Sequence, residues 1–361
     1  MVRIYGDLPL VKESIESSSQ GLVNGSTVPR KQSPEKEILE YLLKNIDASI
    51  SLLNFDTQSS STWAVRADKA AALTLKAHIL LWLTREMDKS SSEYITYVTQ
   101  AEQALDIVIN QGNRTLVNYD NPADVVNMFD GKSSEGIFEL NVSVNDDESF
   151  FINNTVNGEF PLHTATYRDV SRQTLTNLSS FMVPDPAKAT TLYPANDKRR
   201  TLFYQNFGHA VGDFTAPPFL LKYAAHIEDS PSNPEYYYTN SNVLLFRLSE
   251  CILLRAEALN KLGRYGNART LLNTIRQRAG IGNFIGSDSE LTKAIFDERA
   301  RELAGEGHTA YDRIRNNYWE GNEFMTTDRY AKKGYYWPVA IGTLISANPD
   351  LYQVPYWIGK L

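Results

Sequence analysis

The run Phe246-Arg-Leu-Ser-Glu-Cys-Ile-Leu-Leu-Arg-Ala-Glu-Ala-Leu-Asn-Lys-Leu-Gly-Arg-Tyr-Gly-Asn-Ala268 reads as one helix, a sharp stop and the start of a second helix. Arg255 to Leu262 holds good helix formers and no proline, and Leu262-Gly263 supplies the C-terminal stop. The second helix continues through Leu271, Leu272, Ile275 and Ala279. Ala256, Ala258 and Ala268 are small enough to let the two backbones approach, and Tyr265 is expected to fill the gap between them. The stretch from Arg66 to Asn110 has the same outline with a looser turn. A hairpin of this kind buries one face only against a neighbour, so several must stack, as in tetratricopeptide-like repeats.

Working outward, Ser33, Pro34 and Glu35 read as cap, first turn and dipole partner of an early helix. Its stripe is Leu39, Leu43, Ile46, Ile50 and Leu53. In the next helix, expected over 66–85, Ala71, Leu75, His78 and Trp82 share a face. In a third, over 93–110, Tyr94, Val98, Ala101, Leu105 and Val108 do the same. Further helices are expected over 243–262, 264–279 and 288–304, the last opened by a capping box at Ser287 to Glu290. Between 113 and 242 helical periodicity fades, and only Gly136 to Val142 alternates like a strand. The fold class expected is therefore mainly α: a superhelix of helical hairpins packed against an irregular region with a few short strands. We expect a single domain over 1–361, with a repeat scaffold at 33–112 and 243–316. The irregular part, 113–242, is expected to face the ligand, and a loop segment follows at 317–361.

The chain has 361 residues and a net charge of -7, a sign that repels nucleic-acid phosphates. Cys251 is the only cysteine, which excludes an intrachain disulfide, and its apolar neighbours point to a buried core position. No stretch is long and apolar enough to span a bilayer, and the start shows no basic and apolar leader pattern.

The hairpin run, followed by Leu271-Leu-Asn-Thr-Ile-Arg-Gln-Arg-Ala-Gly280, resembles the SusD/RagB family. So do Asp297-Glu-Arg-Ala-Arg-Glu-Leu-Ala-Gly-Glu-Gly-His308 with Tyr311-Asp-Arg-Ile-Arg315, and the closing Trp337-Pro-Val339, Asn348-Pro-Asp-Leu-Tyr-Gln353 and Pro355-Tyr356. Upstream, Tyr5-Gly-Asp-Leu-Pro-Leu-Val11 and Asp197-Lys-Arg199 are similar to family motifs in the same order. The chain departs where the second proline of the family's Pro-x-Pro is Ala340, and where the ending is Gln353-Val-Pro-Tyr-Trp357. The family's front section, with signal peptide, lipid-carrying cysteine and first repeat helices, is expected to be missing here. The resemblance implies a non-catalytic lipoprotein on the outer face of the bacterial outer membrane. It would hold oligosaccharides for a TonB-dependent, SusC-like channel, with its lipid anchor outside this chain and with no cofactor.

Glu298, Glu302 and Glu306 fall on one side of a helix and just beyond it, with His308 close behind. The spacing is not that of a zinc motif, and Arg299, Arg301, Arg313 and Arg315 offer counter-charges, so a structural ion network is expected and no metal site. Gly280-Ile-Gly-Asn-Phe-Ile-Gly286 follows a helix rather than a strand and reads as a C-cap and turn, not a phosphate loop. His78 faces an apolar stripe and reads as a core histidine. His163, His209 and His226 form no recognisable cluster, and no Gly-x-Ser-x-Gly elbow occurs.

Aromatic residues are abundant outside the periodic helices, and rings flanked by amides or charges suit sugars, which have apolar faces and a hydroxyl rim. The candidate ligand residues are Phe151, Tyr167, Tyr204, Phe207, Phe214 and Trp319, with Asn153, Arg168, Asp169 and Asn206 as polar partners. Three other readings remain open: a peptide-binding protein of the same family, a cytoplasmic repeat scaffold, and a glycoside hydrolase, which would need two carboxylates flanking one cleft.

Overall fold

The computed structural model describes residues 1–12, 22–23, 26–27, 29–141, 185–209, 219–223, 226–228, 237–239, 241–319 and 322–360. Its helices are α1 (Val2–Tyr5), α2 (Glu35–Leu52), α3 (Lys69–Leu83), α4 (Ser92–Gln111), α5 (Pro122–Asp130), α6 (Pro186–Leu192), α7 (Arg199–Leu202), α8 (Leu248–Lys261), α9 (Tyr265–Arg278), α10 (Leu291–Glu302), α11 (Thr309–Asn316) and α12 (Thr327–Ala331). Short strands pair two by two: β1 (Leu22–Val23) with β2 (Ser26–Thr27), β3 (Gly136–Leu140) with β8 (Val243–Arg247), β4 (Tyr204–Gln205) with β5 (Phe219–Leu220), and β6 (His226–Glu228) with β7 (Tyr237–Thr239). The fold is mainly helical and hairpin-built, with strands confined to these pairs among the described residues. The chain divides into two compact units, one of residues 1–48, 82–87 and 310–361, the other of 49–81 and 88–309.

In the larger unit, α8 is buried almost all round, as a helix at the centre of a bundle must be. It packs against α4, α9 and α10. Leu248, Ile252, Leu253, Ala256 and Leu259 meet Ala268, Leu272 and Ile275 of α9 and Leu291 and Ile295 of α10 in one apolar cluster. Tyr265 is not in it: 39% of its surface is exposed. Leucine, isoleucine and alanine side chains fill the contact between α8 and α9 instead. Leu75 is likewise exposed, while Thr74 takes the buried place, its Oγ1 donating to Ala70 O at 2.8 Å and lying 3.3 Å from Cys251 Sγ. Helix α3 is covered on most sides, so an apolar period does not mark its inner face. Tyr94, Val98, Ala101, Leu105 and Val108 of α4 are all buried, and Ser91 Oγ caps that helix by accepting from Tyr94 N.

Val243 to Arg247 is a strand, not the first turn of a helix. Antiparallel pairing with β3 joins Gly136 to Arg247, Phe138 to Phe246 and Leu140 to Val243, with irregular register between. A lone strand over 136–140 would leave buried backbone groups unpaired, and this apolar run is the segment that satisfies them.

Tyr119, Met128, Phe129, Tyr193, Phe203, Tyr204 and Leu220 form a second core. Between the two cores runs a buried chain of charges. Glu302 receives Arg247 Nη1 at 2.8 Å, Arg278 Nη2 at 2.7 Å, Arg199 Nη1 at 3.0 Å and the Tyr119 hydroxyl at 2.7 Å. Glu306 receives Arg247 at 2.8 Å and Lys222 Nζ at 2.5 Å, and Glu298 pairs with Arg199 and Arg301 at 2.7 and 2.6 Å. Glu135 closes the chain against Arg247 and Arg278. Burial alone would raise the Glu302 carboxyl, but Arg278, Arg247 and Arg199 pull it well below the usual carboxylate range. Glu306 is drawn down to about 2 against the same burial by Arg247 and Lys222.

In the smaller unit, the motifs at opposite ends of the sequence meet. Glu35 accepts from Trp82 Nε1 at 2.6 Å, from the Tyr336 hydroxyl at 2.8 Å and from Arg85. Asp7 accepts from Glu35 N at 2.8 Å and from the Tyr352 hydroxyl at 2.5 Å. Gln353 holds Val339 through both backbone groups, at 2.9 and 2.7 Å, and Asn348 exchanges two bonds with Arg30. Gly6 has φ of 75°, and a side chain there would strike the Tyr336 ring.

Two outcomes follow from this packing. Leu272→Ala, at a fully buried position between α8 and α9, should lower unfolding free energy by about 3 kcal/mol in urea titration. Glu306 is charged in the fold down to about 2, against an ordinary value of 4.5. Its share of stability is therefore present above pH 4.5 and lost as pH falls towards 2. Glu306→Gln should cost about 3 kcal/mol at pH 7 by taking from Lys222 its carboxylate and from Arg247 one of three, and should flatten the loss of stability between pH 4.5 and 2.

Candidate ligand-binding groove

Asp197 and Arg199 begin the segment that builds the groove. Arg199 is spent on the interior: its Nε and Nη2 take both Asp197 oxygens, at 2.9 and 2.8 Å. That pins the short helix α7 to α10 through Glu298 and Glu302. The preceding turn is tied to the end of α9, with Asn196 Nδ2 donating to Gly280 O at 2.8 Å and Lys198 N to Ala279 O at 3.0 Å. Gly280 has φ of 78°, which closes α9 and leaves room for Lys198 beside it. After β4, Asn206 adopts φ of 51° and Gly208 φ of 82°, and this left-handed pair turns the chain sharply around Phe207.

The result is an open groove of about 500 Å³ lined by Asn196, Arg200, Thr201, Tyr204, Asn206 and Phe207, with Ala195 and Asp197 at its edge. Its volume is that of a small-molecule site. Phe207 stands edge-on to Tyr193 (centroids 5.6 Å, 82°) and to Tyr204 (5.4 Å, 64°), while the Arg200 guanidinium lies over its ring at 4.6 Å. Tyr193 and Tyr204 are themselves fixed: their hydroxyls lie 3.0 Å apart, and Tyr193 donates to Arg301 O at 2.8 Å. Burial holds both phenols above their ordinary value, Tyr204 at about 12, so they stay neutral.

Three of the residues singled out from the sequence, Tyr204, Asn206 and Phe207, therefore share one groove. Phe151, Asn153, Tyr167, Arg168, Asp169 and Phe214 lie outside the described residues. Trp319 is elsewhere, in the smaller unit: half-buried, it donates from Nε1 to Asn317 Oδ1 at 2.8 Å and faces Tyr330 at 6.0 Å. Asn196, Arg200 and Thr201 were not picked out from the sequence. The signal for them was present in the Asp197-Lys-Arg199 motif, which fixes the segment they stand on.

Among the groove's described lining residues the one carboxylate is Asp197, which is buried and bound by Arg199. Glu298, Glu302 and Glu306 lie behind the groove, saturated by cations. Their partners differ from those expected. Arg301 does pair with Glu298, but Arg299 goes to Glu250 at 3.3 Å, Arg315 to Asp312 at 2.6 Å, and Arg313 donates to Tyr318 O. The cations that matter come from distant segments, as Arg199, Lys222, Arg247 and Arg278. His308 faces His78 (centroids 6.3 Å), whose Nε2 is 3.2 Å from Glu250 and whose ring stacks on Phe246. Burial would raise Glu250, yet His78, Arg299 and His308 hold it well below the usual range. The groove can thus bind and orient a ligand through rings, amides and a guanidinium. It offers no pair of carboxyls among its described residues.

The SusD family model matches residues 210–357. A SusD-like protein of Formosa agariphila is 34% identical over 130 residues, covering 34% of this chain and 23% of that protein. The starch-binding protein SusD of Bacteroides thetaiotaomicron is 28% identical over 134 residues, 35% of this chain and 24% of that protein. The aligned stretch therefore spans about a quarter of each of these curated relatives. Among solved structures, a SusD homologue from Bacteroides thetaiotaomicron superposes with a TM-score of 0.79 at 24% identity, over 99% of this chain and 72% of that one. The surface glycan-binding protein A from Bacteroides uniformis gives 0.63 at 20% identity, over 98% and 74%. These structures share the fold, and over residues 210–357 the chain is similar to the SusD family.

Proposed function

We propose that this chain captures nutrient glycans at a bacterial cell surface without cleaving them, and presents them to a SusC-like, TonB-dependent outer-membrane transporter. The observation that carries the binding part is the groove around Phe207. A ring held edge-on by two tyrosines is a rigid apolar platform, which suits the C–H face of a sugar at little entropic cost. Thr201, Asn196 and Asn206 surround it with the polar groups that a hydroxyl rim needs. Two relatives carry matching names, starch-binding protein and surface glycan-binding protein. No described helix is long and apolar enough to cross a membrane. Attachment to the outer membrane through a lipid anchor is part of the proposal.

The non-catalytic part is supported by the carboxyls. Sugar hydrolysis needs one acid held protonated opposite a second carboxylate. Glu298, Glu302 and Glu306 are shifted the other way by their cations. Burial does push up Glu139, but it is 1% exposed and bonded to Lys132 N and Asn242 Nδ2, away from the groove.

Calorimetry against a panel of oligosaccharides and peptides tests the reading. At least one oligosaccharide should bind, with no new reducing ends after prolonged incubation. Phe207→Ala should weaken that binding five- to tenfold, the loss expected for about 1 kcal/mol of ring contact, with thermal unfolding measured in parallel. Binding of peptides alone, or release of shorter sugars, would overturn it.

A further inference from the structure

Arg200 has no acidic partner among the described residues, and it stands in the groove. Its neighbours are all committed. Arg199 is inside the protein on Asp197, Glu298 and Glu302, and Lys198 Nζ is 2.5 Å from Asp120. Because Arg199 neutralises Asp197, the described lining of the groove keeps a net positive charge on a chain whose total is -7. The Arg200 guanidinium carbon sits 4.6 Å from the Phe207 centroid. Contact with a ring uses the face of a guanidinium and leaves its N–H edge to donate. That edge matches a carboxylate or sulfate with two parallel bonds, which a neutral hydroxyl cannot accept in the same way.

We propose that the groove selects acidic saccharides, with the anionic substituent of a uronic acid or a sulfated sugar on Arg200 and the adjoining ring against Phe207. The proposal rests on the glycan-binding reading and deepens it by naming the substrate class. A bare anion would need the charge but not the aromatic platform or a groove of about 500 Å³. A neutral sugar would need the platform but would leave a guanidinium facing it without a counter-charge. An acidic sugar uses both. Thr201 Oγ1 donates its proton to Lys198 O at 3.1 Å, which turns its lone pairs towards hydroxyl donors of the same ligand.

The test is calorimetry on the full chain at low and at physiological salt. The probes are matched pairs: oligogalacturonate and oligoalginate for carboxylates, sulfated galactan oligosaccharides for sulfates, and malto-, xylo- and galacto-oligosaccharides as neutral counterparts. At least one acidic probe should bind tenfold or more tighter than its neutral counterpart, and the margin should shrink as salt rises. Arg200→Gln should remove that margin by lowering acidic affinity at least tenfold more than neutral affinity, and Arg200→Lys should restore part of it. Whether the carboxylate or the sulfate arm responds identifies the source of the anion. Neutral sugars that bind as well as acidic ones, with Arg200→Gln silent, would overturn the acidic selection and leave glycan capture standing. No sugar bound by either form, with Phe207→Ala also silent, would overturn both.

Discussion

Glu302 is the point at which four separate stretches of the larger unit are made to agree. It is fully buried, and it holds Arg199 from the groove segment, Arg247 from β8, Arg278 from α9 and the Tyr119 hydroxyl. Removing so many charges from water is costly, several kcal/mol per ion, and only near-complete pairing offsets it. The network therefore tolerates one arrangement of its elements far better than any displaced one. Apolar contacts between α8, α9 and α10 supply most of the drive to collapse, but leucines and alanines can slide. The carboxylates on α10, four residues apart, fix where the irregular segments must lie.

The groove inherits this rigidity. Its floor is tied to α10 twice, through Arg199 on Glu298 and Glu302 and through the Tyr193 hydroxyl on Arg301 O. Its rim is tied to α9 through Gly280 O and Ala279 O. A segment with only one short helix and a two-residue strand is thus tied to the helices behind it at several points. Binding by ring contact gains from this, because ordering a loose loop would consume much of the contact energy.

Helices α4, α8, α9 and α10 were legible in the sequence because each carries a strong apolar period, a cap or a glycine stop. The capping box at Ser287 and Glu290 is present, with Ser287 N donating to Glu290 Oε2 at 2.8 Å. Legibility failed where tertiary context replaced period. Val243 to Arg247 became a strand because β3 needed a partner, Leu75 turned outward on a helix covered nearly all round, and Tyr265 yielded its place to aliphatic side chains. The acidic cluster on α10 was visible, but its partners were not, since pairing between Glu302 and Arg199 spans about a hundred residues of chain and leaves no local spacing to read. The groove was half legible: aromatic residues stood out at 204 and 207, whereas Arg200 looked like one more arginine.

The difference between Arg199 and Arg200 is set by backbone direction alone. The two are adjacent, identical in type and on the same short helix, yet one side chain is wholly enclosed by carboxylates and the other meets a ring at the groove. Adjacent residues on a helix diverge by about a hundred degrees, so α7 necessarily sends one arginine inward when the other faces out. The inward one is required by Glu298 and Glu302 and cannot be exchanged without stranding buried charge. The outward one carries no such duty to the fold. A cation retained there answers to what enters the groove, which is why the two positions are expected to differ so sharply in what they tolerate: stability governs the first, and ligand chemistry the second.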